Sequence, residues 1–199
     1  MQKDAAEYVR RCEQCQKHAP LIHQPAGRLN PVSSPWPFAQ WGLDILGPFP
    51  RATGNRRFVL VAVDYFTKWA EAEALANIRD IDVKKFVWKN IVTRFGVPNS
   101  LVSDNGLQFD SKAFRAFCSD LSIKNKYSTP AYLQSNDQAE AVNKTILNEL
   151  KRRLDRAKGR WVEELPNVLW AYRTIHRRST GETPFSLTCG AEAVIPTEV

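Results

Sequence analysis

Three acids have the types and spacing for metal-assisted chemistry. Asp104 stands in LVSDNGLQF and Glu140 in SNDQAEAVNK, with 35 residues between them, and Asp44 stands upstream in WGLDILGPF. Carboxylate oxygens are the ligands that hard cations such as magnesium prefer. Two such ions about 3.5–4 Å apart activate an attacking oxygen and stabilise a leaving oxygen at a phosphodiester. Each acid also has an ordinary reading on its own. Asp44 reads as a turn acid, Asp104-Asn105-Gly106 as a plain turn, and Glu140 as a solvated helix residue. The set differs from its members because Asp44 lies between Leu43 and Ile45 in an apolar strand pattern. Burying a carboxylate without a partner is costly, and gathering three of them raises their pKa values by repulsion. A divalent ion resolves both conflicts.

The elements that must position these acids alternate between strand and helix. HQPAGRLNPVSSPWPFAQ carries four prolines and reads as a linker, so residues 1–25 are expected to stand apart from the rest of the chain, with 26–40 as the connection. Leu43–Ile45 reads as a short strand and Phe58–Val63 as a buried central one, because its apolar run is continuous and β-branched. Lys68–Leu75 alternates as a third strand. Helical spacing of Ile81, Val83, Phe86, Val87, Ile91, Val92 and Phe95 predicts a helix over 80–95, stopped by Gly96-Val97-Pro98. Ser100–Ser103 is a strand ending at Asp104. Ser111 caps a helix with Phe114, Phe117, Cys118 and Leu121 inward, and Ile123–Tyr127 is the fifth strand. A long helix starts near Ser135, where Ser135 and Gln138 have capping-box spacing, and puts Glu140 in its first turns, where negative charge is favoured. A last helix covers 161–175 with Trp161, Leu165, Leu169 and Trp170, and the remaining residues, 179–199, read as irregular. This order describes an α/β domain with a five-stranded mixed sheet flanked by helices.

WGLDILGPFP, VLVAVDYFTKWAEA, VSDNGLQFDS and YLQSNDQAEAVNKTI together resemble the catalytic core of retroviral-type integrases, most nearly those in polyproteins of gypsy-type long-terminal-repeat retrotransposons of plants. The resemblance covers nearly the whole chain. It implies a ribonuclease H-like fold for residues 41–178, two Mg2+ or Mn2+ ions, processing of DNA 3′ ends by water and strand transfer into target DNA. By motif, it implies Asp44, Asp104 and Glu140 as catalytic metal ligands and Asn136, Asn143 and Lys144 as DNA contacts; Asp64 in VAVDYF is not assigned to metal. Lys144 has a plainer alternative as an ion pair with Glu140, four residues back on the same helix face. The chain departs from the family's P-Q-S/G-N-G-Q-A-E at Leu133 and Asp137. Asp137 replaces a freely moving glycine with a negative charge. An inactive, integrase-derived nucleic-acid-binding module is therefore a second reading, and a ribonuclease H acting on hybrids a third. As a partner, the family implies DNA and a further copy of the chain.

Cys12 and Cys15 resemble the second half of the family's HHCC zinc finger. Structural zinc takes four protein ligands, and the two histidines that precede the pair in the family do not occur in the eleven residues ahead of Cys12, so residues 1–25 are expected to form an incomplete finger without zinc, in a fragment of a longer polyprotein. Four cysteines with a single CxxC give no disulfide framework and point to a reducing, intracellular compartment, the nucleus by resemblance. No stretch approaches eighteen apolar residues, so no membrane span is expected. Net charge is +7, and residues 142–178 hold ten Lys or Arg against four acids. Such a stripe is commonly a solvated helix face; beside a carboxylate site it reads as a footprint for a phosphate backbone.

Overall fold

A computed structural model describes residues 11, 34, 36–127, 148, 152, 159–177 and 180–194. Met1–Asn30 and Pro31–Val199 are separate compact units, and the sheet with its helices lies in the second. The strands are β1 (Gln40–Leu46), β2 (Phe58–Asp64), β3 (Ala70–Leu75), β4 (Ser100–Ser103) and β5 (Lys124–Tyr127). They form one sheet in the order β3-β2-β1-β4-β5. β1 is antiparallel to β2, β2 to β3, while β1–β4 and β4–β5 are parallel. The sheet is therefore mixed, as its sequence pattern predicts.

β2 reads as an unbroken apolar run because both its faces are covered. Leu60 and Ala62 pack with Trp41, Leu43, Leu101, Phe86, Ile91 and Phe114 on one face. Val59, Val61 and Val63 pack with Leu46, Trp161, Leu165, Leu169 and Tyr172 on the other. The first face is closed by α1 (residues 80–95), α2 (Leu107–Asp110) and α3 (Lys112–Asp120), the second by α4 (Trp161–Thr174). Burial of apolar area on this scale is the main stabilising term, at about 25 cal/mol per Å².

α1 runs through three consecutive segments, Asp80–Phe86, Val87–Val92 and Thr93–Phe95, the middle one π-helical. A simple 3.6-residue period passes through that wider turn without revealing it. Ile81, expected inward, is 47% exposed, and Trp88 is 50% exposed. α1 ends where expected, with Gly96 at φ 87. Ser111 caps α3 as its type and place predict, accepting from Phe114 N at 3.0 Å, and its hydroxyl donates to Asp80 Oδ2 at 2.9 Å. That bond ties the starts of α1 and α3 together.

Two elements depart from the sequence reading. Leu107–Asp110 is a short helix in a stretch to which the sequence pattern assigns no element. Pro184–Cys189 is a helix, α5, inside the stretch 179–199 that reads as irregular in sequence. Its start is set by Thr183, whose side chain accepts from Ser186 N at 2.9 Å, and by Pro184 in the first turn, where the missing N–H costs nothing. Among the described residues, no helix is long and apolar enough to cross a membrane.

Candidate active site

β1 and β4 are adjacent and parallel, with Gly42 opposite Val102. Two residues beyond that pair come Asp44, inside β1, and Asp104, the first residue past the end of β4. Neighbouring strands lie about 4.8 Å apart. Side chains alternate along a strand: Trp41 and Leu43 turn to the first face, so Asp44 shares the α4 face with Leu46. Leu101 likewise turns to the first face, so its strand neighbour Val102 turns to the α4 side, and Asp104 follows one residue past the strand end. From β1 the chain turns to β2 on one side, and from β4 it proceeds to β5 on the other. The two acids thus stand where strand order reverses, at the carboxyl ends of parallel strands, a place where open α/β sheets form a ligand crevice.

Asp44 is half-buried, and its Oδ1 accepts from Ile45 N at 2.7 Å. Asp104 is exposed just past β4, and its Oδ1 accepts from Gly106 N at 3.1 Å, the turn that Asp-Asn-Gly forms by itself. A Cβ at Gly106 would come within 2.9 Å of Asp104 Oδ1, so a larger residue there would shift that carboxylate and the Gln108 side chain. Asp44 lies inside β1 and is less deeply buried than its apolar neighbours' pattern implies. Glu140, Asn136, Asn143, Lys144, Cys12 and Cys15, together with the departures at Leu133 and Asp137, lie outside the described residues. Among the described residues, no group of three or more His, Cys, Asp or Glu is gathered for a metal. Asp44 and Asp104 offer oxygen-only donors, the second open to solvent. That donor set fits Mg2+ or Mn2+, which keep several waters and take few carboxylates.

Asp64, kept out of the metal set on sequence grounds, has another task. Its buried carboxylate accepts from Phe38 N at 3.0 Å, Thr67 N at 2.7 Å and Thr67 Oγ1 at 2.8 Å. It fastens the β2–β3 turn to the segment ahead of β1. Burial pushes its pKa above the ordinary carboxylate value, and the hydrogen bonds from Thr67 and Phe38 oppose that rise.

The basic stripe needs a correction at two positions. Arg173 donates to Ala70 O from Nε at 3.0 Å and Nη2 at 2.7 Å, pairs with Glu71 Oε2 at 3.0 Å, and lies 4.2 Å from the centre of the Trp69 ring. Glu71, 4% exposed, also takes Arg94 Nη1 at 2.7 Å and Trp69 Nε1 at 2.7 Å. This cluster straps α1 and α4 together across the edge strand β3 and occupies an edge carbonyl that would otherwise be open to pairing. Burial holds the Arg173 guanidinium below the usual arginine range, and Glu71 works against it. Arg177 donates to Tyr172 O at 2.6 Å and lies 3.7 Å from the Tyr172 ring centre. Both arginines serve the fold rather than a phosphate backbone. His176 is exposed. Sequence reasoning missed the Glu71 cluster because AEAEAL alternates like a solvated edge.

A mixed sheet in this order, with helices on both faces and acids at the ends of its central parallel pair, is the ribonuclease H-like arrangement. Residues 35–132 match the family described as integrase core domain. The Tf2-3 and Tf2-4 transposon polyproteins of Schizosaccharomyces pombe are each 26% identical over 189 residues, which is 94% of this chain and 14% of theirs. The chain thus spans about a seventh of the length of these curated relatives. A simian T-cell lymphotropic virus intasome, in complex with PP2A regulatory subunit B56 gamma, superposes with a TM-score of 0.70 at 18% identity, over 100% of this chain and 70% of that one. The HTLV-2 integrase catalytic core, in complex with magnesium and in a trimeric form, gives 0.62 at 18% identity, over 78% and 99%. The catalytic core of BIV integrase gives 0.60 at 19% identity, over 75% and 92%. Residues 35–132 thus match an integrase core domain, and the chain has the ribonuclease H-like fold.

Proposed function

We propose that this chain catalyses DNA integration for a retroelement: water trims the 3′ ends of element DNA, and the new 3′-hydroxyl then attacks target DNA. The observation that supports the reading is that Asp44 lies in β1 and Asp104 directly follows β4, two adjacent parallel strands. The integrase-core match and the similarity to transposon polyproteins support the class of chemistry. Asp44, Asp104 and Glu140 would hold two Mg2+ or Mn2+ ions. When bound, such ions supply the activated attacking oxygen and the stabilised leaving oxygen of phosphoryl transfer. The protein's own share is to fix its carboxylates before DNA arrives. Asn136, Asn143 and Lys144 contact the element's DNA end, and the cations of residues 142–178 other than Arg173 and Arg177 follow its backbone. The active form is a homo-oligomer working on nuclear DNA.

Strand transfer with Mg2+ and oligonucleotides bearing the element's terminal sequence tests this. Asp104→Asn is expected to abolish joining while circular dichroism and DNA affinity stay at wild-type values. Joining at the wild-type rate by that variant would remove Asp104 from the mechanism. One observation favours a second reading: Asp137 adds negative charge three residues before Glu140. A wild-type chain that binds DNA but joins none would identify an inactive DNA-binding module.

A further inference from the structure

Asp104 is exposed, and an exposed carboxylate on a turn is a poor metal ligand unless its backbone is held. Beyond it, Phe109 N and Asp110 N both donate to Gly106 O, at 2.9 and 3.2 Å, closing a compact turn on the residue whose N–H holds Asp104 Oδ1. The far end of that turn is pinned twice. Phe109 is fully buried and meets the Phe114 ring edge-on at 6.3 Å. Asp110 Oδ1 accepts from Tyr127 OH at 2.6 Å and from Arg115 Nη1 at 3.2 Å. Asn125 Nδ2 completes the group, donating to Tyr127 OH at 2.9 Å and to Phe109 O at 3.0 Å. Tyr127 is the last residue of β5 and stands opposite Ser103, the residue just before Asp104. The acid is thus braced from both sides by one tyrosine: through the β4–β5 ladder before it, and through Asp110 and the Gly106 turn after it.

We infer that Tyr127 and Asp110 are positioning residues for Asp104, their hydrogen bond locking the Asn105–Asp110 turn to β5 so that the carboxylate meets a divalent cation in one orientation. The inference rests on the proposed reading of Asp44 and Asp104 as metal ligands. The Tyr127–Asp110 bond is short, its acceptor Oδ1 also takes Arg115 Nη1, and the Tyr127 hydroxyl oxygen accepts from Asn125 Nδ2, so its geometry is over-determined. Groups that orient metal ligands without touching the metal commonly change affinity about 10–100-fold when removed.

The test uses the full chain and Mn2+ alone, with binding read by electron paramagnetic resonance and folding by thermal melting. Tyr127→Phe deletes one hydroxyl and keeps the ring. It is expected to weaken Mn2+ binding about 10-fold while the melting temperature moves by no more than about 4 °C. Asp110→Asn keeps an oxygen acceptor for the tyrosine and is expected to bind Mn2+ within about 3-fold of wild type, well inside the effect of losing the bond. Unchanged Mn2+ affinity in Tyr127→Phe, with or without a lower melting temperature, overturns the positioning role and leaves the metal-ligand reading standing. A wild-type chain that takes up no Mn2+ overturns both.

Discussion

Removing the Glu71 carboxylate strips an anion from a buried cluster of three partners. Glu71 is 4% exposed and meets Arg94 at 2.7 Å, Arg173 at 3.0 Å and the Trp69 indole at 2.7 Å. Breaking a buried pair by deleting one member costs about 3–5 kcal/mol, because the survivor keeps an uncompensated charge. Here the survivors differ. The Arg94 side chain is 46% exposed and rehydrates at little cost. Arg173, 17% exposed, keeps the Ala70 carbonyl and the Trp69 face. The Trp69 N–H loses its acceptor, worth about 1–3 kcal/mol when buried. Glu71→Ala is therefore expected to destabilise by about 3 kcal/mol, the lower end for such a loss. Urea unfolding measures it as a fall in midpoint at constant slope. Arg173→Met alone is expected to cost less, since Glu71 then keeps Arg94 and Trp69. Pairing Glu71→Leu with Arg173→Met should recover part of the loss, because well-packed apolar replacements of buried pairs are often neutral. A Glu71→Ala loss under about 1 kcal/mol, the size of an ordinary surface ion pair, would refute the strap.

Two further outcomes concern the scaffold around the acids. Ser111→Ala removes the α3 cap and its link to Asp80, and should cost about 1 kcal/mol in the same unfolding assay. Burial pushes the Cys118 thiol from 9.0 up to about 11 and the Tyr172 phenol from 10.0 up to about 12; burial, then the Asp110 bond, does the same to Tyr127. The folded chain holds these protons more tightly than the unfolded one, so their contribution is complete below about pH 9 and is lost as pH rises through 11 to 12. Stability measured across pH 8–12 should fall through that window, and a flat profile there would count against the burial of these groups.

Local rules reached some parts of this molecule and stopped at others. Phe58–Val63 was legible as a central strand because two covered faces leave no polar alternation to find. The Ser111 cap was legible because a hydroxyl at that place has one strong local use. The Pro184–Cys189 helix was not read, since six residues hold too little helical period, although Thr183 before Pro184 is a usable start signal. Glu71 and Arg173 each look solvated in their own segments; their pairing exists only once β3 and α4 meet. The adjacency of the strands that carry Asp44 and lead to Asp104 comes from the β1–β4 pairing, which no single-segment pattern encodes. Without the fold, only the resemblance of the flanking motifs joins those two acids.

The central claim is that Asp44 and Asp104 share a divalent cation at the ends of β1 and β4. A crystal of the chain soaked in Mn2+, with its anomalous signal mapped, tests this most directly. The expected result is a peak within coordination distance of carboxylate oxygens from both residues. A peak bound to one of them alone, or Mn2+ held elsewhere with that crevice empty, would contradict it.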